Sequence, residues 1–259
     1  KKIAWFSDAS GEYRLLIGGQ DGLEAAREIR LDKPTYYYDP AWSPDGKHLA
    51  FTDAGRNLWV VDVATGKATR ADGDNYAHPE RTLVPVWSPD SRWLAYAKRL
   101  TTQFRALVVY SVADGKARQL TDGLSDAGSP AWDAGGKYLY FLASTDYGLG
   151  SGWLDLSSYD RKIRQAVYLA VLSSDTPSPL LPESDEETGA KDSTAKKDSL
   201  PKTLGQTGKK QESKKSEPAP GKPESDTTRV RIDFDGIGQR VLDLGLPVRT
   251  YTQLQAGAA

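Results

Sequence analysis

Pro40-Ala41-Trp42-Ser43-Pro44-Asp45-Gly46 returns 45 residues later as Pro85-Val86-Trp87-Ser88-Pro89-Asp90-Ser91, and after 45 more as Pro130-Ala131-Trp132-Asp133-Ala134-Gly135-Gly136. A period of 40 to 50 residues built of short strands and turns is the signature of a propeller blade, which needs about four strands per repeat. Each phrase reads as chemistry. An apolar strand ends at the Trp, Pro44 presets φ for a turn, Asp45 accepts from the backbone ahead, and Gly46 tolerates positive φ.

Working outward, a return strand follows each turn: Lys47–Thr52, Arg92–Ala97 and Lys137–Leu142. A third strand is expected over Asn57–Val63 and Ala106–Val112, and a closing strand over Ala68–Arg70 and Ala117–Thr121. All are rich in β-branched and aromatic residues, as a pleated, half-buried surface requires. Thr65-Gly66 and Asp114-Gly115 mark the hairpins between third and fourth strands, and Asp72-Gly73 and Asp122-Gly123 punctuate the handover between repeats. Trp5–Gly11 reads as a degraded copy of the Trp phrase, with Tyr13–Ile17 as its return strand. In the repeat opened by Trp132, residues 144–165 intervene as an ordered surface loop before the pattern resumes at Ala166–Leu172.

Residues 183–228 contain no aromatic residue and no Val or Ile, but ten acidic residues and nine lysines. Such a stretch buries too little apolar area to offset the entropy of ordering and reads as a disordered, mixed-charge insertion. Order is expected again at Arg229–Ile237, whose alternation suggests the strand that closes the interrupted blade, with a further blade beginning at Tyr251–Leu254. The domain plan is therefore propeller blades over 1–182, insertion over 183–228 and propeller continuation over 229–259. The fold class is all-β, a propeller of four-stranded antiparallel blades. At 45 residues per repeat the chain holds about four to five blades, the expectation being a segment of a six- or seven-bladed ring.

Composition excludes several functions. Thirty-four basic residues against 35 acidic ones argue against nucleic-acid binding. The absence of cysteine removes disulfides, thiol catalysis and Cys-ligated metal. No apolar run approaches the ~20 residues of a membrane span. His48 and His78 lack converging ligands and read as ordinary surface or loop histidines. Asp45, Asp90 and Asp62 recur by repeat position, which marks them as turn and strand residues. Gly123-Leu124-Ser125-Asp126-Ala127 falls one residue short of a nucleophile elbow and has no helix signal after it. No catalytic, cofactor-binding or metal-binding residue is assigned and no cofactor is implied. Tyr36, Tyr37, Trp153 and Tyr159 are the candidates for contacting an extended peptide, with packing between blades as the commoner fate of such aromatics.

Trp42–Phe51, Leu58–Asp62 and Thr65–Lys67 together resemble the WD40-like repeat of Tol-type translocation propellers and tricorn-type proteases. Ser157–Arg161, Pro177–Leu180 leading into the charged insertion, and Arg231–Ile237 with Arg240 resemble the tricorn protease homologues in particular. That resemblance implies the second propeller of a multidomain serine peptidase, whose PDZ-like module and catalytic domain, related to C-terminal processing peptidases, lie further along the parent chain. It implies a noncatalytic propeller that filters or guides unfolded peptides in a cytoplasmic, self-assembling homo-oligomer. The alternative is a stand-alone, periplasmic Tol-type propeller that binds a protein partner. An oligopeptidase-type propeller preceding an α/β-hydrolase domain fits less well, because Asp233–Ile237 is no part of that pattern.

Overall fold

The computed structural model describes residues 1–31, 35–76, 83–144, 163–180, 229–251 and 253–257. Within them the chain forms four antiparallel sheets. The first has three strands, β1 (Lys2–Ser7), β2 (Arg14–Gly19) and β3 (Arg27–Ile29). The second is β4 (Tyr37–Trp42), β5 (His48–Asp53), β6 (Asn57–Asp62) and β7 (Ala68–Gly73). The third is β8 (Val86–Trp87), β9 (Trp93–Arg99), β10 (Arg105–Ser111) and β11 (Lys116–Gln119), and the fourth is β12 (Asp126–Trp132), β13 (Tyr138–Ser144), β14 (Ala166–Val171) and β15 (Val241–Asp243). Each sheet is a meander in chain order, so every strand pairs with its sequence neighbour. The fold is the all-β propeller architecture expected from the repeat.

The turns after the Trp residues follow the chemistry read from the sequence. Gly46 N–H bonds the Ser43 carbonyl at 2.9 Å with φ 69°. Ser43 Oγ donates to Asp45 Oδ1 at 2.6 Å, and Asp45 Oδ1 accepts from Lys47 N–H at 3.0 Å. The next repeat builds the same turn with Ser91 at φ 62° in place of glycine. In the third, Asp133 replaces the serine: its Oδ1 accepts from Tyr138 N–H at 2.7 Å, as Ser43 Oγ does from His48 N–H at 2.9 Å.

Period-two alternation sends successive residues of a strand to opposite faces, and the core is accordingly three layers between neighbouring sheets. Leu15, Ile17 and Ile29 of the first sheet meet Leu49, Phe51, Val61 and Tyr37 of the second. On the other face of the second sheet, Ala50, Leu58 and Val60 meet Leu94, Tyr96 and Trp87. Ala95, Leu107 and Val109 then meet Trp132, Leu139 and Phe141. The tryptophans stitch the layers. Trp87 Nε1 donates to the Ala41 carbonyl at 3.1 Å, and Trp132 Nε1 donates to the Val86 carbonyl at 3.0 Å. A single indole thus spans from one first strand to the next. This makes the first strands the close-set edges of the fan, while β7 and β11 lie on the exposed side.

Three sequence expectations are corrected. Trp5–Gly11 is not a copy of the Trp phrase. β1 pairs β2 without interruption from Lys2↔Gly19 to Ser7↔Arg14, whereas the first strands β4 and β12 each carry a bulge, between Tyr38 and Ala41 and between Gly128 and Ala131. The Ala4 and Phe6 side chains also face the next sheet as Ala95 and Ala97 do from the second strand β9. β1 therefore occupies the second-strand position. Next, Arg229–Ile237 is not the closing strand; Val241–Asp243 is, pairing with Tyr168–Ala170. The alternation over Arg229–Ile237 reflects burial instead, because Val230, Ile232 and Ile237 sink into the layer between the third and fourth sheets. Finally, no strand forms at Tyr251–Leu254 among the described residues; near it Arg249 makes an isolated bridge with Gln165.

Backbone contacts separate Lys1–Pro177 with Thr227–Ala259, the unit just described, from Ser178–Asp226. Of that second unit only 178–180 are described. The insertion expected over 183–228 and most of the loop expected over 144–165 lie outside the described residues.

Candidate functional site

The unit has two ends. One carries the Trp-phrase turns and the third-to-fourth-strand hairpins. The other carries the second-to-third-strand loops and the starts of the first strands, where Ala54 N–H bonds the Tyr36 carbonyl at 2.8 Å. Tyr36 stands at this second end, 59% exposed, with its ring 5.1 Å from that of Tyr13 in the β1–β2 loop of the neighbouring sheet. Tyr37, the adjacent candidate, is a packing residue. Alternation turns it inward, where it is 7% exposed, stacked on Phe6 at 5.4 Å and edge-on to Phe51 at 5.5 Å. Trp153 and Tyr159 lie outside the described residues.

At the same end, β4 and β12 present Asp39 and Ser129 at one register position and Val84 holds the equivalent repeat position just before β8, each immediately before a proline. Asp39 has φ 53° and Ser129 φ 51°. The residue before proline prefers extended backbone, and a left-handed non-glycine residue stores on the order of 1–3 kcal/mol. The bulges hold that conformation and swing the position out of the sheet ladder. Asp39 and Val84 are exposed and Ser129 is half-buried.

The buried charges nearby are braces. Asp53, 7% exposed, accepts from Asn57 N–H at 2.8 Å, from Asn57 Nδ2 and from Trp59 Nε1 at 2.8 Å. Asp72 of β7 reaches into the third sheet, where Lys98 Nζ lies 2.6 Å and the Tyr96 hydroxyl 2.7 Å away. Burial first, and then the Asp72 charge, push the Tyr96 hydroxyl far above the ordinary tyrosine value, so it stays a donor. Asp126 of β12 takes a forked pair from Arg105 of β10, Nη2 to Oδ2 at 2.7 Å and Nε to Oδ1 at 3.0 Å. Asp72 was legible only as half of an Asp-Gly turn and Asp126 only as part of an incomplete elbow. No local pattern announces a partner 26 or 21 residues away in another strand or sheet.

None of this forms a nucleophile and base. Gly123, at φ 81°, leads into strand β12 and not a helix, which disposes of the elbow. His48 packs against Trp87 with ring centroids 6.0 Å apart and its Nε2 4.0 Å from Asp62, more enclosed than a surface histidine. His78 lies outside the described residues. Among the described residues no three His, Cys, Asp or Glu side chains gather as metal ligands, and no helix is long and apolar enough to cross a membrane. Among the described residues this end therefore offers an exposed Tyr36 ring against a half-buried Tyr13 and a line of repeated positions at the first strands, which is contact chemistry.

The family model for the tricorn protease second beta propeller domain matches residues 1–258. A tricorn protease homolog of Saccharolobus solfataricus is 29% identical over 136 residues, covering 51% of this chain and 12% of that protein. Tricorn protease homolog 1 of Streptomyces coelicolor is 24% identical over 259 residues, covering 98% of this chain and 22% of that one. The crystal structure of the tricorn protease superposes with a TM-score of 0.64 at 16% identity, over 97% of this chain and 21% of the other, a likeness of fold. The chain spans about a fifth or less of the length of these relatives.

Proposed function

Since the chain belongs to the tricorn protease second beta propeller domain family, we propose that it is a noncatalytic propeller which receives unfolded polypeptide and guides it toward a catalytic domain elsewhere in a parent serine peptidase. The observation that carries this reading is the row Asp39, Val84 and Ser129 along the first-strand edge, with the exposed Tyr36 ring resting on half-buried Tyr13 at the same end. In a closed propeller the first strands of the blades surround an axial passage, which on this reading would admit an extended chain and exclude a folded domain. Aromatic rings with repeated polar and apolar positions suit a sequence-tolerant grip on such a chain. The parent's partners on this view are its own PDZ-like and catalytic domains and further copies of itself, in the cytoplasm.

The test compares a reduced, carboxymethylated protein with its native form in pull-down and anisotropy experiments on this chain. Binding of the unfolded form, absent for the native form and weakened several-fold by Tyr36→Ser, is expected, together with no hydrolysis of fluorogenic peptides. Hydrolysis by this chain, or equal binding of folded and unfolded forms, overturns the proposal.

A further inference from the structure

The turn end carries a feature that peptide passage does not use. Arg229–Ile232 is extended, with Val230 and Ile232 turned into the core and Arg229 and Arg231 turned out. It lies beside the Asp90 turn, whose Oδ2 accepts the Val230 N–H at 2.9 Å, and the next bond inward is Asp233 N–H to the Leu172 carbonyl at 3.0 Å. The remaining backbone groups of 229–232 have no backbone partner among the described residues. This edge borders a cleft of about 490 Å³ lined by Arg92, Trp93, Arg229, Val230, Arg231 and Ile232. A second opening of about 540 Å³ continues past Trp93 to Phe234, over which the Arg118 guanidinium sits at 4.9 Å.

Among the described residues three guanidinium groups and no carboxylate line the first cleft; Asp90 borders it through its bond to Val230 N–H, and the second opening carries Asp114, Asp233 and Asp235. Arg231 is balanced by Asp175 at 2.6 Å and Asp233 at 3.1 Å. The Arg92 and Arg229 side chains meet no carboxylate among the described residues, and both are exposed. An unpaired extended edge supplies main-chain bonds to an added strand, while neighbouring cations and the flank of an indole select what that strand carries. We infer that this cleft is a docking site for an extended acidic polypeptide segment, which lies along Arg229–Ile232 as an added strand and places its carboxylates between Arg92 and Arg229 over Trp93. The occupant is polypeptide because main-chain groups of 229–232 other than the Val230 N–H have no backbone partner among the described residues, and acidic because the Arg92 and Arg229 charges meet no carboxylate among them.

The test uses the intact chain and fluorescein-labelled ten-residue peptides alternating valine with glutamate, or valine with lysine, read by anisotropy. The glutamate peptide is expected to bind at least about tenfold more tightly than the lysine peptide, and the difference shrinks at high salt. Arg92→Gln with Arg229→Gln, both at exposed positions, should abolish that preference while leaving the circular dichroism spectrum and melting temperature unchanged. N-methylation of alternate backbone amides in the glutamate peptide should weaken binding to the same degree. Equal binding of the two peptides, indifference to the double substitution or to N-methylation, or tighter binding of a single-stranded oligonucleotide than of the glutamate peptide overturns the inference. Tyr36→Ser leaves this binding unchanged, which separates it from peptide capture at the opposite end.

Discussion

Replacing Trp132 by Phe tests whether the indoles are the stitches of this fan. Trp132 is 7% exposed, and its Nε1 is 3.0 Å from the Val86 carbonyl of the preceding sheet. Phenylalanine keeps a ring in the layer but deletes the donor, which costs about 1 kcal/mol for a net hydrogen bond, more if the carbonyl stays dry. It also leaves roughly 40 Å³ unfilled, worth about 1 kcal/mol at ~24 cal/mol per Å³ of cavity. The expected loss is therefore about 2–3 kcal/mol, a large share of the 5–15 kcal/mol that holds a typical domain together. Trp87→Phe should behave alike, since its Nε1 makes the equivalent bond to Ala41 at 3.1 Å. Trp5→Phe is the control. Trp5 is 36% exposed on a second-position strand and should cost under about 1 kcal/mol. Urea unfolding followed by far-ultraviolet circular dichroism gives all three values without relying on tryptophan emission. If Trp132→Phe costs less than about 0.5 kcal/mol, or no more than Trp5→Phe, the indole bridges are incidental and the argument from them to a close-set edge fails.

Three further outcomes are expected. Because Arg231 and Asp175 tie the two ends of the insertion together at 2.6 Å, replacing 183–228 with an eight-residue Gly/Ser linker should preserve the fold and raise the unfolding free energy by about 1–2 kcal/mol, from the logarithm of loop length; loss of cooperative unfolding contradicts this. Asp233 is held down to about 2, first by the Ser174 N–H and then by the hydroxyls of Ser174 and Ser173 and by Arg231, against a partial desolvation that opposes them. A depressed carboxylate stabilises fully above its ordinary value of 3.8 and loses that contribution as pH falls toward 2. Amide exchange at Val230 and Asp233 should accelerate across that window, and Asp233→Asn should remove the dependence. Arg56 is exposed at φ 64°, so Arg56→Gly should gain up to about 1 kcal/mol, the left-handed strain exceeding the added chain entropy; a lower melting temperature refutes it.

What was legible in the sequence is local and periodic. The Trp phrase specifies its own turn within six residues, since Ser43, Asp45 and Gly46 satisfy one another before any partner sheet arrives, and repetition at 45 residues copies that geometry. Alternation likewise identified most strands. The same alternation misled at Arg229–Ile237, because burying every second residue in a neighbouring layer looks the same in sequence as joining a ladder. It misled at Trp5 as well, since an aromatic strand end before Ser-Asp reads alike in the first or the second strand of a sheet. For the candidate site, Tyr36 and Tyr37 were equivalent as adjacent aromatics, and a single step of the pleat put one in the core and left the other exposed.

By itself, then, the sequence determined that this is a repeating all-β chain, because turn chemistry and period-two burial act over a few residues. Only the tertiary structure decided which strand closes the fourth sheet, which aromatics are exposed, and that Asp72, Asp126 and the indole donors bind across sheets. Those choices are made between segments far apart in sequence, where packing and charge pairing compare partners that no local stretch can see.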